Sequence, residues 1–413
     1  MGASSETGSH TSGGLGFRVW KIKVPRSARC RLRDWYYLLL RLMMTGQTPT
    51  PKKALRYKKE WLETFSSAVK TRLRNGGWVR KGEKRVPRLP PLHIPVRFTT
   101  SRTRAGMSDA PIVIDLRSKQ LRIPCMGFRV QLREGLVRAL EEENLLEPRP
   151  EFVVQLTSKG RLRVVAQRHL EPPPATLPLR VVAVDENARH GFCVAVFDFD
   201  EGGYCSLVFF KVLKPVNHGY REGIASALRS YADKPSALAD LREHLDLVPA
   251  PEDARKLAEK TLAKKKRVNS AFCETATALV RKLIREAQGA RVVILVDPID
   301  HDSLQGTPLQ GTLLRVRRAL RNLAKYEGAA FHCLRASGKR CPLCGREGVE
   351  VAPRAYRCER CSLEWDRDRA AVVNLVRRFL TRSLKEECQG DDLWRLLDSL
   401  EGWVRRHRKF LAP

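Results

Sequence analysis

Four cysteines stand as two C-x-x-C pairs, Cys341 with Cys344 in CPLCG and Cys358 with Cys361 in CERC, with 13 residues between the pairs. A C-x-x-C knuckle supplies two thiolates through one tight turn, and two knuckles complete the tetrahedron that Zn2+ prefers. The spacing predicts a zinc ribbon over 336–365, with Gly348 and Pro353 favouring turns inside it. Four cysteine ligands leave no open coordination position, so this metal would be structural. Two unrelated pairs of small apolar side chains are the plainer reading, and a redox C-x-x-C would be single and open a helix. Three aspartates invite a different chemistry. Asp185 follows the apolar run VVAV, Asp297 ends VILV, and Asp368 opens the helical pattern of WDRDRAAVVNL just beyond the second knuckle. Alone, each has an ordinary role as a strand-end turn residue or a helix N-terminal charge. Together, two central strands and a packed helix would converge on one site for hard cations. Such carboxylate clusters hold two Mg2+ about 3.5–4 Å apart and hydrolyse phosphodiesters. Asp366 competes with Asp368 for the third place, and Asp300 and Asp302 lie farther from their strand end.

Composition says what such a site would meet. The chain has 413 residues, 77 Lys and Arg against 45 Asp and Glu, and a formal net charge of +32. Self-repulsion of that size is relieved when a polyanion neutralises it and counterions leave, so a nucleic-acid partner is expected. Hydrophobic residues make up 43%, enough for two or three folded domains rather than a disordered chain. No apolar run approaches the roughly 20 residues of a membrane span, so no membrane is expected among the partners. The start, MGASSETGSHTSGG, lacks the charged-then-apolar order of a secretory signal and reads as a disordered tail over 1–16. The remaining seven cysteines (Cys30, Cys125, Cys193, Cys205, Cys273, Cys333, Cys388) are scattered, as in a reducing cytoplasm.

The elements that would carry these residues follow from periodicity. FRVWKIKV alternates as a strand, and 31–74 has helical spacing, with Trp35, Leu38, Leu39 and Leu42 on one stripe and breaks at Pro49 and Pro51. From 92 to 170 short strands recur (HIPVRFTT, APIVIDLR, QLRIPCM, FRVQL, EFVVQL, RLRVVAQ), with a turn at Ser158-Lys159-Gly160 and one helix near 134–145, predicting a small barrel or sandwich. After Pro172-Pro173-Pro174, VVAV, FCVAVFDF and CSLVFFKV predict three antiparallel strands with the first central. A long helical region over about 219–287 follows, with Phe272, Ala276, Leu279 and Leu283 on one face. It contains the polycationic run Lys264, Lys265, Lys266 and Arg267, suited to phosphate. RVVILV predicts another strand, 312–326 a basic helix and AAFHCL a short fifth strand. In the last segment Trp394, Leu397, Leu400 and Val404 sit at helical spacing. Asn374 falls on a helical face neighbouring Asp368, where it would hold the active-site backbone, pack or cap. Arg367 and Arg369 are expected to face solvent or phosphate.

Three antiparallel strands, a helix, a strand and a late helix is the order of an RNase-H-like fold, and from about 17 to 380 the chain resembles TnpB. That transposon-associated family of RNA-guided endonucleases is related to the small type V CRISPR effectors. Its interrupted RuvC nuclease domain has its third acidic residue just after a zinc ribbon, in a motif approximating Asp-x-Asn-Ala-Ala-x-Asn-Ile. Here Asp368, Ala371, Asn374 and Leu375 match, whereas Ala370 and Val372 depart. VVAVDENARHG matches the first motif through Asp185, and RVNSAF loosely resembles a basic Arg-x-x-Asn segment through Arg267 and Asn269, which stand here as Arg-x-Asn. The middle motif ordinarily carries Glu, and Asp297, followed by Pro298, stands there instead.

The resemblance implies an α+β multidomain protein. It would comprise a β-rich wedge domain of β-barrel form over 17–174, carrying a small helical recognition insert at about 27–90. A RuvC-like nuclease domain would run over 175–335 and 366–380, with a helical lid at 219–287, the inserted zinc ribbon at 336–365 and a basic helical tail at 381–413. It implies an Mg-dependent endodeoxyribonuclease with Asp185, Asp297 and Asp368 as catalytic magnesium ligands. Guide RNA and target DNA would be its partners, and the prokaryotic cytoplasm, at the nucleoid, its location. The Glu-to-Asp change motivates an alternative, a nuclease-impaired protein that still uses a guide to occupy DNA. Guide-independent processing of branched nucleic acid would rest on the core fold alone.

Overall fold

The computed structural model describes residues 16–45, 78–81, 84–87, 91–99, 112–123, 127–168, 170–173, 177–187, 191–214, 219–233, 250–287, 289–299, 310–387 and 391–413. The expected tail (1–15), most of the expected helical insert (46–77), and Asp300 and Asp302 lie outside them. The chain divides into two compact units, Leu15–Arg168 and His169–Pro413.

The first unit begins with β1 (Gly16–Lys21) and α1 (Arg26–Thr45). There follow β2 (Trp78–Lys81), β3 (Lys84–Pro87), β4 (Leu92–Thr99), β5 (Ile112–Asp115), β6 (Gln120–Ile123), β7 (Phe128–Gln131), α2 (Glu134–Asn144), β8 (Glu151–Leu156) and β9 (Leu162–Arg168). β2 and β3 pair alone; the others form one seven-stranded sheet in the order β1-β9-β8-β4-β5-β6-β7. Only the β4–β5 pairing is parallel among them. The turn between β8 and β9 closes with the Gly160 amide donating to Thr157 O at 2.9 Å. Gly160 has φ +65°, and a Cβ there would lie 2.1 Å from Arg29 O, so both backbone and space demand glycine.

The second unit holds the aspartates and the cysteines. Its strands β10 (Leu179–Asn187), β11 (Gly191–Phe199) and β12 (Cys205–Leu213) are followed by α3 (Gly219–Asp233), α4 (Pro251–Arg285), β13 (Arg291–Asp297), α5 (Gln310–Glu327) and β14 (Ala330–Cys333). Among the described residues, the expected helical region over 219–287 contains these two helices, and 234–249 lies outside the described residues. The sheet order is β12-β11-β10-β13-β14, antiparallel from β12 to β10 and parallel from β10 to β14. The strand β10 is its centre. Three short strands, β15 (Val349–Ala352), β16 (Ala355–Arg357) and β17 (Glu364–Asp366), form the ribbon's sheet, and α6 (Arg367–Glu387), α7 (Asp391–Arg406) and α8 (Arg408–Leu411) end the chain.

Strand alternation sorts side chains onto two helical layers. Leu179, Val181 and Ala183 of β10, with Val293 and Leu295 of β13, share a core with Val372, Val376 and Phe379 of α6 and Leu400 and Trp403 of α7. Val182 and Val184, with Ile294 and Val296, pack instead with Ala276, Val280 and Leu283 of α4 and Leu313, Val316 and Leu320 of α5. Phe272 and Leu279 are partly buried in that second layer, so the stripe expected on α4 does face the sheet. On α7 the expected stripe is wrong at Trp394, which is 66% exposed; the buried face is Leu393, Leu396, Leu397, Leu400, Trp403 and Val404. Trp403 packs against Phe197 at a centroid distance of 5.3 Å, and Trp394, nine residues earlier and so on the opposite side of the helix, faces outward. Among the described residues no helix is long and apolar enough to cross a membrane.

Candidate functional site

The ribbon's two knuckles have the same local geometry. The Gly345 amide donates to Cys341 O and the Ser362 amide to Cys358 O, each at 2.8 Å, with Gly345 at φ 72° and Ser362 at φ 50°. Each chain reversal brings the two thiols of its C-x-x-C together. The four Sγ atoms all lie within 4.8 Å of one another, and Cys344 Sγ is 3.5 Å from Cys358 Sγ. Zn–S bonds of about 2.3 Å in a tetrahedron put sulfurs about 3.8 Å apart, so the quartet fits a zinc ion. Burial pushes the Cys341 thiol up to about 12. Burial also raises Cys344, but the Arg346 amide and the neighbouring thiols outweigh it and bring Cys344 down to about 7.

Gly348 was expected to make a turn; instead it makes room. A Cβ there would stand 2.4 Å from the Trp365 ring, whose indole N–H donates to Gly338 O at 2.9 Å. The reversal between β15 and β16 falls at Arg354, with φ 69°. Helix α6 holds the ribbon from behind. Asn374 Nδ2 donates to Ser337 O at 2.9 Å and Arg340 O at 2.8 Å, and Arg377 Nη1 donates to Leu343 O at 2.7 Å. Asn374 was expected to hold active-site backbone, pack or cap; the backbone it holds is the segment entering the first knuckle.

Asp185 and Asp297 are direct register partners on the parallel strands β10 and β13. Asp185 extends the Val181–Ala183 series and Asp297 the Val293–Leu295 series, so both carboxylates point to the α6 side. β10 runs on to Asn187, which places Asp185 inside the strand rather than after it. Both residues are 9% exposed, and Asp368, the second residue of α6, is 8% exposed. Burial, reinforced by Asp297 and then Asp368, pushes the Asp185 carboxyl well above the usual range. Burial likewise pushes Asp297 up to about 7, against the opposing pull of the Ala336 N–H, which donates to its Oδ2 at 3.0 Å. Arg367 beside Asp185, and Arg335 and Arg378 beside Asp297, are the nearby cations. Both carboxyls stay raised despite these cations because burial outweighs them, and two adjacent buried carboxyls are an electrostatic setting that a divalent cation satisfies.

Asp368 is differently placed. It accepts from Asn187 Nδ2 at 3.0 Å and forms an ion pair with Arg354 of the ribbon. Among the described residues the cysteine quartet is the set of metal-ligating side chains whose ligand atoms all lie within 4.8 Å; the three aspartates are not such a set. Asp366 does not compete for the site. It is the last residue of β17, and its Oδ1 accepts the Asp368 and Arg369 amides at 3.0 Å each, capping α6. Arg369 is not a phosphate-facing cation either: its Nη1 donates to Phe410 O at 2.7 Å and Ala412 O at 2.6 Å, tying down the C-terminal turn. Lys264, Lys265, Lys266 and Arg267 all fall within α4, and their side chains lie outside the described residues.

Asn187, Arg354, Glu186 and Arg317 have no motif to flag them. Glu186 was visible only as a second carboxylate beside Asp185. In the fold it is buried against Arg317 of α5, and burial raises its carboxyl despite that partner.

No protein-family model and no curated protein matches the chain. Among solved structures it is similar to the mini-RNA-guided endonuclease CRISPR-Cas_phi3, at 12% identity and TM-score 0.35 over 60% of this chain and 56% of that one. CasPhi-2 (Cas12j) bound to crRNA and phosphorothioate-DNA gives 13% and 0.34 over 72% and 62%. The chain thus spans less than two thirds of the length of these two structures. The Cas12f1–sgRNA–target DNA complex gives 10% identity and TM-score 0.37 over 84% of this chain and 79% of that one.

Proposed function

We propose that the protein is an RNA-guided DNA endonuclease that cuts phosphodiester bonds in an RNase-H-like, RuvC-type site by a two-metal mechanism. The observation that carries this reading is the pairing of Asp185 with Asp297 on adjacent central strands, both buried, with Asp368 on the helix covering the same face. The strand order, three antiparallel strands followed by two parallel ones with helices on both faces, supports the RNase-H-like assignment.

Asp185, Asp297 and Asp368 would hold Mg2+, which supplies an activated water and a charge clamp on the leaving oxygen. Asp185 and Asp297 contribute adjacent anionic oxygens from rigid strands. Asn187 orients Asp368 by donating to its Oδ1. Arg335, Arg367 and Arg378 offer positive charge beside the carboxylates, where a phosphate of the cut strand would lie. The cysteine quartet would hold zinc and keep the ribbon, and hence Arg354, in place. Excess positive charge would hold a guide RNA and the target strand, with pairing to the guide reading the sequence.

A second reading, guided DNA occupancy without cutting, is favoured by one observation: Arg354 already neutralises Asp368. The test is to purify the full chain, sequence co-purifying RNA, and offer matching DNA with Mg2+ to wild type and Asp368→Ala. Bound RNA with cutting lost in the variant is the expected result. Guided binding with no cutting by wild type would establish the second reading, and absence of any bound RNA would overturn both.

A further inference from the structure

Glu186 follows Asp185 on β10 and so faces the opposite side of the sheet, toward α5. Its side chain is fully buried. The carboxylate accepts from Arg317 through both arms of the guanidinium, Nε at 3.1 Å and Nη2, and Oε2 also accepts the Ile299 N–H at 3.3 Å. Arg317 Nη2 in turn lies 3.5 Å from Ile299 O. One ion pair, its carboxylate fully buried and its guanidinium 19% exposed, therefore engages both main-chain polar groups of a residue two positions beyond Asp297. That position matters because β13 ends at Asp297, so no strand ladder continues to hold the chain there.

For stability alone the arrangement is poor. Burying the carboxylate and most of the guanidinium costs desolvation that the pairing must repay, and well-packed apolar residues in their place are often as stable. A buried pair that fixes a specific backbone segment acquires a purpose when the segment must be held to a fraction of an ångström.

We propose that Glu186 and Arg317 are positioning residues for the metal site: by anchoring Ile299 they fix the end of β13 and so the approach of Asp297 to Asp185. Glu186 and Arg317 bind no cation themselves. Their effect passes through the main chain from Ile299 to Asp297, and through the peptide linking Glu186 to Asp185. This rests on the nuclease reading above.

The experiment titrates Mn2+ into the full-length protein by electron paramagnetic resonance, with DNA cutting followed in parallel and zinc content as the check on folding. Glu186→Ala is expected to raise the Mn2+ midpoint about tenfold, in the range found when outer residues supporting metal ligands are removed. Arg317→Lys keeps the charge but not the fork and should raise it less, and Glu186→Gln, which keeps an acceptor for Ile299, should recover most of the affinity. If Glu186→Ala does not retain zinc, Arg317→Lys against wild type carries the test. Folded variants with the wild-type midpoint would overturn the proposal while leaving the nuclease reading intact. A wild-type protein that neither binds Mn2+ nor cuts would overturn the nuclease reading, and this proposal with it.

Discussion

Arg354, at the tip of the turn between β15 and β16, forms an ion pair with Asp368, the second residue of α6. The ribbon thus reaches Asp368 with a cation, on Oδ2, an oxygen that a metal in the proposed site would take. Removing it should free Asp368. Arg354→Ala is expected to lower the Mn2+ midpoint several-fold, a gain of roughly 1 kcal/mol as for relief of a partly exposed ion pair. Spectroscopic titration of the full chain checks this, and an unchanged or higher midpoint rejects it.

The raised pKa of Asp297 makes a stability prediction with a definite sign. The native carboxyl titrates near 7, against about 4 for an unfolded aspartate. The native state binds this proton more tightly, so its contribution is present at low pH and lost as pH rises through 7. In protein without added Mg2+, Asp297→Asn should gain on wild type between pH 5 and pH 8, by on the order of 3 kcal/mol. The neutral amide keeps an acceptor for the Ala336 N–H. Urea melts at several pH values measure the difference, and a pH-independent difference would refute the assignment.

Cutting, in turn, should vanish when any of the three carboxylates is neutralised. Asp185→Asn and Asp368→Ala are expected to reduce Mg2+-supported cleavage at least about a thousandfold, the scale of losing a principal electrostatic stabiliser. Guide RNA should remain bound. Retained cleavage in Asp368→Ala, measured on matched DNA, would move the third metal ligand elsewhere.

Asn374 offers a test away from the metal chemistry. It donates to two carbonyls, Ser337 O and Arg340 O. Asn374→Asp would aim an acceptor at two acceptors and should destabilise by about 3 kcal/mol, whereas Asn374→Ala should cost about 2 kcal/mol. Melting temperature and zinc retention are the readouts, and equal stability of the two variants would contradict the donor role.

The zinc site predicts stoichiometry. Elemental analysis should find one zinc per chain, lost in Cys341→Ser and Cys358→Ser, because the four thiolates close one tetrahedron. With the knuckles open, Arg354 loses its platform. Zinc retained in both variants would show that the quartet is not the site.

Much of the architecture could be read from residue order. Strands such as VVAV and RVVILV announce themselves because a central strand must be apolar on both faces, and helices such as α4 because their apolar residues recur on one side. The cysteine knuckles were equally legible, since four ligands within 21 residues need only two local turns to meet. Local patterns carry local consequences. The stripe on α7 shows the limit: Trp394 has the spacing of a core residue, but the face that packs is centred on Leu396, Leu400 and Trp403, and Trp394 faces outward.

What the tertiary structure alone decided is the identity of each carboxylate's partner. Asp366 and Asp368 are chemically alike and two residues apart, yet one caps α6 and the other pairs with Arg354 and Asn187. Glu186 and Arg317 are 131 residues apart, and Asn187 and Asp368 are 181 apart. The sequence determined which segments are strands, which face of each is apolar, and where four thiols would gather. It did not determine which charge meets which, because ion pairs carry no periodicity and form wherever packing of the apolar faces happens to bring their backbones together.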